Sequence, residues 1–279
     1  VRQALPDVDI AIVEGDSKNI KITEPLDIFL ADKLFQVRGD DGISAMPIND
    51  IEKALKSKVV VVFGASYGIG MGIADIAEKS GATVYRLSRS LTGTDVSDIE
   101  SVKSAYDKIY KLEGKIDYVV NSAAILHKQS LNLTSYEDIA TSLDVNLKGA
   151  IFVAKEAYPY LRKTRGGLLQ FTSSSYTRGR AFYSLYSSTK AAVVNLTQAL
   201  SEEWMGSDVQ INCICPERTA TPMRTKNFGI EPEGTLLSAF DVAMTSISVL
   251  ASGESGHIVD VKLDSMKDKK EEAKKEDLV

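Results

Sequence analysis

Cysteine is almost absent from this chain: 279 residues hold two, Cys213 and Cys215. They stand two apart in a strand-like run, where alternation puts both on one face, and a structural zinc site needs about four ligands. They read as reduced core residues of a cytoplasmic protein, and no metal site is expected. An excess of positive charge is also missing. Lys plus Arg is 33 against 38 for Asp plus Glu, a formal charge of −5, and no basic cluster is dense enough for a duplex-binding face, so nucleic acid is not an expected partner. Long apolar runs are missing too: the longest, Val59 to Phe63, falls far short of the roughly 20 residues that cross a bilayer, so no membrane partner is expected. A signal peptide is not expected either, because Val1 to Val13 carries Asp7 and Asp9 inside its apolar part. What is present is an apolar fraction of 44%, enough to build the core of one large or two small folded units.

Composition divides the chain into three pieces. In the first, residues 1–56, Asp9 to Val13 and Asn19 to Thr23 look like strands. A helix is expected after them, with Thr23 as N-cap, Pro25 in its first turn and a stripe of Leu26, Phe29, Leu30 and Leu34. Gly39 to Gly42 reads as a break. The last piece, residues 265–279, has five Lys and five Asp or Glu, too little apolar surface to join a core, and reads as a charged tail, frayed or disordered. Between them, residues 57–264 alternate strand-like runs (Val59–Phe63, Ala82–Leu87, Tyr118–Asn121, Leu168–Thr172, Val209–Cys215, Ile258–Val261) with helical stretches (Ile69–Lys79, Ile99–Leu112, Tyr136–Arg162, Leu185–Met205, Thr235–Leu250). Parallel strands need crossovers of a dozen or more residues, so this alternation predicts an α/β fold with a doubly wound parallel sheet.

The chemistry-bearing residues sit at the ends of those strands. Val59–Phe63 runs into Gly64-Ala-Ser66-Tyr67-Gly68-Ile69-Gly70 and then a helix, which suits a backbone turning tightly against a pyrophosphate at a helix N-terminus. The same residues also match a G-x-S-x-G nucleophile elbow, with Ser66 as nucleophile and His257 as base. An elbow strand lies mid-sheet, however, whereas this one is first in the pattern, and the reading leaves the later motifs unexplained. Thr172-Ser173-Ser174-Ser175 follows another strand, and Tyr186 stands 13 positions after Ser173. Lys190 lies four residues beyond Tyr186, on the same helix face, where an ammonium would favour the phenolate and pull the phenol's pKa down from about 10. Such a Tyr can protonate a carbonyl as hydride arrives.

Together with Asn121-Ser-Ala123-Ala, Asn146 and the Pro216 to Thr221 run, these motifs make Val59 to Asp264 resemble the short-chain dehydrogenase/reductase family. The resemblance implies Tyr186 as general acid/base, Lys190 on the nicotinamide ribose, Ser173 on the substrate oxygen with Ser174 as the alternative, and Asn146 holding a water that links Lys190 to solvent. It also implies Asn121 and Ala123 along the cofactor cleft, with Pro216, Thr219 and Thr221 at the cofactor, and a homo-oligomer, dimer or tetramer, paired through two long helices. The chain departs from the family twice. Seven residues separate Leu87 from Asp95, too few for the family's crossover helix, so its third strand, at Asp95-Val96, the pair expected at adenine, should be rudimentary. Glu217 replaces a glycine of the family's substrate loop.

Leu87 is followed by Ser88 and Arg89 with no acid where a carboxylate would hold a ribose 2′-hydroxyl. Arg89 offers a fork for a 2′-phosphate, so the expected cofactor is NADP(H). Arg178, Arg180, Arg218 and Arg224 lie in the two loops expected at the substrate mouth, with Lys226 beside them, and call for an anion, most simply a phosphate. Residues 13–27 resemble the C-terminal end of cytidylyltransferases acting on sugar or polyol phosphates, including Lys21 at a phosphate-contacting position. The nucleotide loop of those enzymes has no counterpart here, so no nucleotide transfer is expected. A cytidylyltransferase joined to a short-chain reductase is the arrangement of bifunctional CDP-ribitol synthases of capsule and wall polymer pathways. This second resemblance implies NADPH-dependent reduction of a small sugar phosphate, ribulose 5-phosphate to ribitol 5-phosphate. The competing expectations are a catalytically silent NADP-binding module that organises a cytidylyltransferase and a short-chain reductase for another anionic carbonyl substrate.

Overall fold

The computed structural model describes residues 20–36 and 46–266. The expected strand at 9–13, the break at 39–42 and the tail from 267 onward lie outside the described residues. The chain divides into a unit of residues 1–38 and a unit of residues 39–279. In the first, helix α1 (Pro25–Gln36) forms where Pro25 predicted it, but the cap runs the other way from expectation. The Asp27 carboxylate accepts from the backbone N–H groups of Thr23 and Glu24, and Thr23 is not the acceptor. Residues 20–23 form no strand.

The second unit is built on six parallel strands: β1 (Val59–Phe63), β2 (Thr83–Leu87), β3 (Tyr118–Asn121), β4 (Gly167–Phe171), β5 (Gln210–Pro216) and β6 (Ile258–Val261). Their order is β2-β1-β3-β4-β5-β6. Strand β1 is buried throughout, and its period of two divides it between the layers. Val60 and Val62 pack with Ile73 and Ala77 of α3 (Gly68–Lys79) and Val242 and Ile247 of α10 (Ala239–Ala251). Val59, Val61 and Phe63 pack with Tyr106 and Ile109 of α5 (Ile99–Glu113) and Val153 and Leu161 of α7 (Gly149–Thr164). Helix α2 (Ile48–Leu55), which the sequence reading left inside the N-terminal piece, buries Ile51 and Leu55 in the first of these clusters. The packing of this unit therefore begins ahead of residue 57.

Strand order reverses at β1, because the chain moves outward to β2 and then returns to β3 on the other side. Such a switch point opens a crevice at the C-terminal ends of β1 and β3. Beyond Leu87 there is no third family strand, not even a rudimentary one: Asp95 and Val96 lie in no strand. The seven intervening residues make one helical turn, α4 (Arg89–Thr92), whose Leu91 N–H donates to Ser88 Oγ and which ends at Gly93 with φ +70°. Val96 is then pressed onto the start of α7, where a Cβ at Gly149 would come 2.8 Å from its Cγ2. The helix expected over 136–162 is two, α6 (Tyr136–Leu143) and α7, joined by a π-turn, Asp144–Lys148. Among the described residues no helix is long and apolar enough to span a membrane.

Candidate active site

The turn after β1 brings the backbone against the start of the segment after β3. Gly64 has φ +80°, and a Cβ there would lie 2.6 Å from the Ala123 nitrogen, so no other residue fits. The first turn of α3 follows, with no side chain capping its N–H groups. A cleft of about 390 Å³ opens over this turn. Of the residues expected at the cofactor, it brings together Gly64, Ser66, Tyr67, Gly68, Ile69, Gly70, Ser88, Arg89, Asp95, Val96, Ala123, Tyr186, Lys190, Pro216 and Thr221. Uncapped helix donors behind a glycine turn and a cation in the lining fit a dinucleotide phosphate. Arg89 is exposed, and among the described residues it forms no ion pair. Burial raises the Asp95 carboxyl, but hydrogen bonds from Ser97 and the charges of Arg89 and Lys148 outweigh it and leave the pKa lowered.

Two expected cofactor residues fall elsewhere. Asn121 is buried beneath the cleft and does not line it, since its amide donates to Gln170 Oε1 at 3.0 Å. Thr219 lines a neighbouring cavity of about 470 Å³, and its hydroxyl donates to the Glu217 carbonyl. Ser90, Thr94 and Met223 line the cleft without having been singled out. They are short polar or flexible side chains on helices of one or two turns (Ser90, Met223) or on a loop (Thr94), too short for a periodicity to mark them.

The two cavities meet at Tyr186, on α8 (Ser184–Glu203), together with Thr172 and Ile69. Ser173 is the serine whose side chain acts on the Tyr186 phenol, and it accepts from Ser175 Oγ at 3.3 Å. Ser174 lines the same cavity. Lys190 is 4% exposed, and its ammonium donates to the Phe171 carbonyl at 2.8 Å and sits 5.5 Å from the Tyr186 ring centroid. The pKa expectation is corrected. Burial pushes the Tyr186 phenol up to about 12, with the Ser173 bond a smaller effect in the other direction. Burial also brings Lys190 down to about 8. The ammonium is itself desolvated and committed to a carbonyl, so it does not draw the phenol toward neutrality.

Asn146 lies in the π-turn, and its side chain is committed to the protein. Its side-chain oxygen accepts from Ile125 N–H at 2.8 Å and its amide donates to the Ile125 carbonyl at 2.9 Å, so the side chain clamps the loop after β3. Glu217 has an equally definite role. It needs no glycine conformation, and its carboxylate accepts from Leu263 N–H at 2.9 Å, tying the loop to the chain after β6. The hydrolase alternative fails on topology: Ser66 follows the C-terminal end of β1 and His257 precedes the N-terminal end of β6, opposite edges of a parallel sheet. Of the four arginines, Arg180, Arg218 and Arg224 line the second cavity, whereas Arg178 is exposed outside it.

Residues 64–241 match the family described as Enoyl-(Acyl carrier protein) reductase. The chain belongs to the short-chain dehydrogenase/reductase family. Within this family of oxidoreductases it is similar to the bifunctional ribulose 5-phosphate reductase/CDP-ribitol pyrophosphorylase Bcs1 of Haemophilus influenzae, with 55% identity over 94% of this chain and 55% of that protein. The chain thus spans about half the length of that relative. Oxidoreductase UcpA of Salmonella typhimurium is 32% identical over 61% of this chain and 72% of its own length. Among solved structures, a 3-ketoacyl-(acyl-carrier-protein) reductase from Brucella melitensis complexed with NADH superposes with TM-score 0.69 at 27% identity, over 74% of this chain and 97% of that one. As a short-chain dehydrogenase/reductase the chain is an enzyme.

Proposed function

We propose that the chain reduces a ketose phosphate with NADPH, and that the substrate is ribulose 5-phosphate, giving ribitol 5-phosphate for later cytidylyl transfer. The observation that carries this reading is the meeting of a dinucleotide-shaped cleft and an arginine-rimmed cavity at the Tyr186–Ser173 pair. The name borne by the Haemophilus relative supports the choice of substrate. When bound in the cleft, the reduced nicotinamide supplies the hydride. Tyr186, protonated throughout the neutral range, hands its hydroxyl proton to the substrate oxygen, which Ser173 holds. Lys190 donates to the nicotinamide ribose.

Arg89 beside Ser88 supports NADPH over NADH. Arg89→Ala is expected to weaken NADPH about tenfold to a hundredfold, the worth of one or two charge-assisted hydrogen bonds, with a much smaller effect on NADH. Fluorescence titration with both cofactors reads this directly, and equal losses would show Arg89 to be a bystander.

Arg180 and Arg218 on the second cavity support a phosphorylated substrate. Arg218→Ala or Arg180→Ala should cut the preference for ribulose 5-phosphate over ribulose, measured as a ratio of kcat/KM, about tenfold to a hundredfold. Lys at either position should restore part of that ratio, since it keeps the charge and loses the fork. An unchanged ratio would point to another carbonyl substrate.

A further inference from the structure

Glu231 is a carboxylate for which the proposed chemistry has no use, yet it is tied to the cations of the substrate cavity. Its oxygens accept from Arg224 Nε at 2.7 Å and Nη2 at 2.9 Å, and Oε1 stands 3.7 Å from Arg218 Nη1. The arginine is held in a second way: its guanidinium carbon lies 3.8 Å from the centroid of Phe228, the last residue of α9 (Pro222–Phe228). The same ring carries the Lys128 ammonium at 4.5 Å and meets Tyr183 edge-on at 6.0 Å. Arg218, Arg224, Phe228 and Tyr183 line the cavity, whereas Glu231 does not.

Resting on the phosphate reading of the cavity, we infer that Arg224 is its principal phosphate anchor and that Glu231 and Phe228 are positioning residues that aim it. A guanidinium has five N–H donors, and the side-on pair with Glu231 uses two of them. Of the remaining three, one on Nη1 and one on Nη2 form the end-on edge, with the plane held against the Phe228 ring. A long side chain fixed at both its edge and its face has little rotamer freedom left to lose when an anion arrives, which is what preorganisation for a bidentate contact requires. Arg218 and Arg180 are the looser members: Arg218 is more exposed than Arg224, and among the described residues Arg180 forms no ion pair. A negative charge so close could instead repel the phosphate. Glu231, however, is directly paired with Arg224 and close to Arg218, so its charge is largely neutralised before it reaches the cavity.

The test measures kcat and KM with ribulose 5-phosphate and with ribulose, at saturating NADPH, together with inhibition by inorganic phosphate. Arg224→Ala should cost the phosphorylated substrate a larger factor than Arg218→Ala or Arg180→Ala. Glu231→Gln should raise KM for ribulose 5-phosphate and Ki for phosphate about tenfold, roughly one charge-assisted contact, with kcat much less affected. Glu231→Asp should restore part of that loss. In an Arg224→Ala background Glu231→Gln should add nothing, which a general loosening of the loop would not reproduce. An unchanged or lowered KM, or an undiminished effect in the Arg224→Ala background, overturns the inference. Should Glu231→Gln fail to fold, Phe228→Leu takes its place, with a several-fold rise in the same two constants expected and no rise overturning it. If the unaltered enzyme handles ribulose and ribulose 5-phosphate alike, the phosphate reading falls and this inference with it. If it discriminates between them while Glu231 and Phe228 prove indifferent, only the positioning falls.

Discussion

Replacing Tyr186 with Phe is expected to lower turnover by about a thousandfold, the middle of the range for a lost general acid, while NADPH affinity stays within a few-fold of the unaltered enzyme. On the proposed mechanism the hydroxyl is the proton donor, and the ring that lines both cavities is retained in the variant. Stopped-flow oxidation of NADPH paired with a binding titration separates the two effects, and turnover near normal in the Phe variant would end the assignment. The same residue sets the pH dependence. With the phenol raised to about 12, the acid form needed for reduction is present across the neutral range. Oxidation of the alcohol needs the phenolate and should therefore accelerate with each step toward alkaline pH.

Lys190→Met should abolish most activity and yet make the cofactor-free protein more stable at pH 7. The ammonium's pKa falls from its ordinary 10.5 to about 8 on folding, so the unfolded chain holds this proton more tightly than the folded one. The cost is fully present below pH 8, shrinks as pH rises from 8 to 10.5 and is gone above that window. Its full size is about 3 kcal/mol. Losing the hydrogen bond to the Phe171 carbonyl takes back about 1 kcal/mol, leaving a gain of about 1 to 2 kcal/mol at pH 7. Urea unfolding at pH 7 and pH 9.5 checks the sign. The unaltered protein should gain on the Met variant at the higher pH, and parallel behaviour of the two would refute a desolvated lysine.

All six strands were legible because apolar runs between glycine-marked turns survive burial on both faces, and the observed ends differ from the expected ones by a residue or so. The Tyr186, Lys190 and Ser173 set was legible because its spacing is fixed by one helix and one strand end. The π-turn at Asp144–Lys148 was not legible: one extra residue in a helical turn leaves the apolar pattern almost intact, and only the inward turn of Asn146 reveals it. Nor could spacing show that Lys190 would fail to lower the Tyr186 pKa, because that depends on how dry the site is and on a carbonyl of a different element. The partner of Arg224 was hidden for a similar reason, since Glu231 is brought back to it by the loop after α9.

The missing crossover also leaves its mark on the rim of the sheet. Among the described residues no strand after Leu87 pairs with β2, so it ends the sheet on that side, and one row of its backbone donors and acceptors has no strand neighbour there. Such a row is a template onto which another chain could zip. The strand is only five residues long. Tyr85 is bound to Glu113, and Arg86 is forked onto Glu78 and within 2.7 Å of Asp75. A short edge flanked by charges already committed to one another is a poor template, and this is one of the ways by which a sheet border is kept from pairing with another chain.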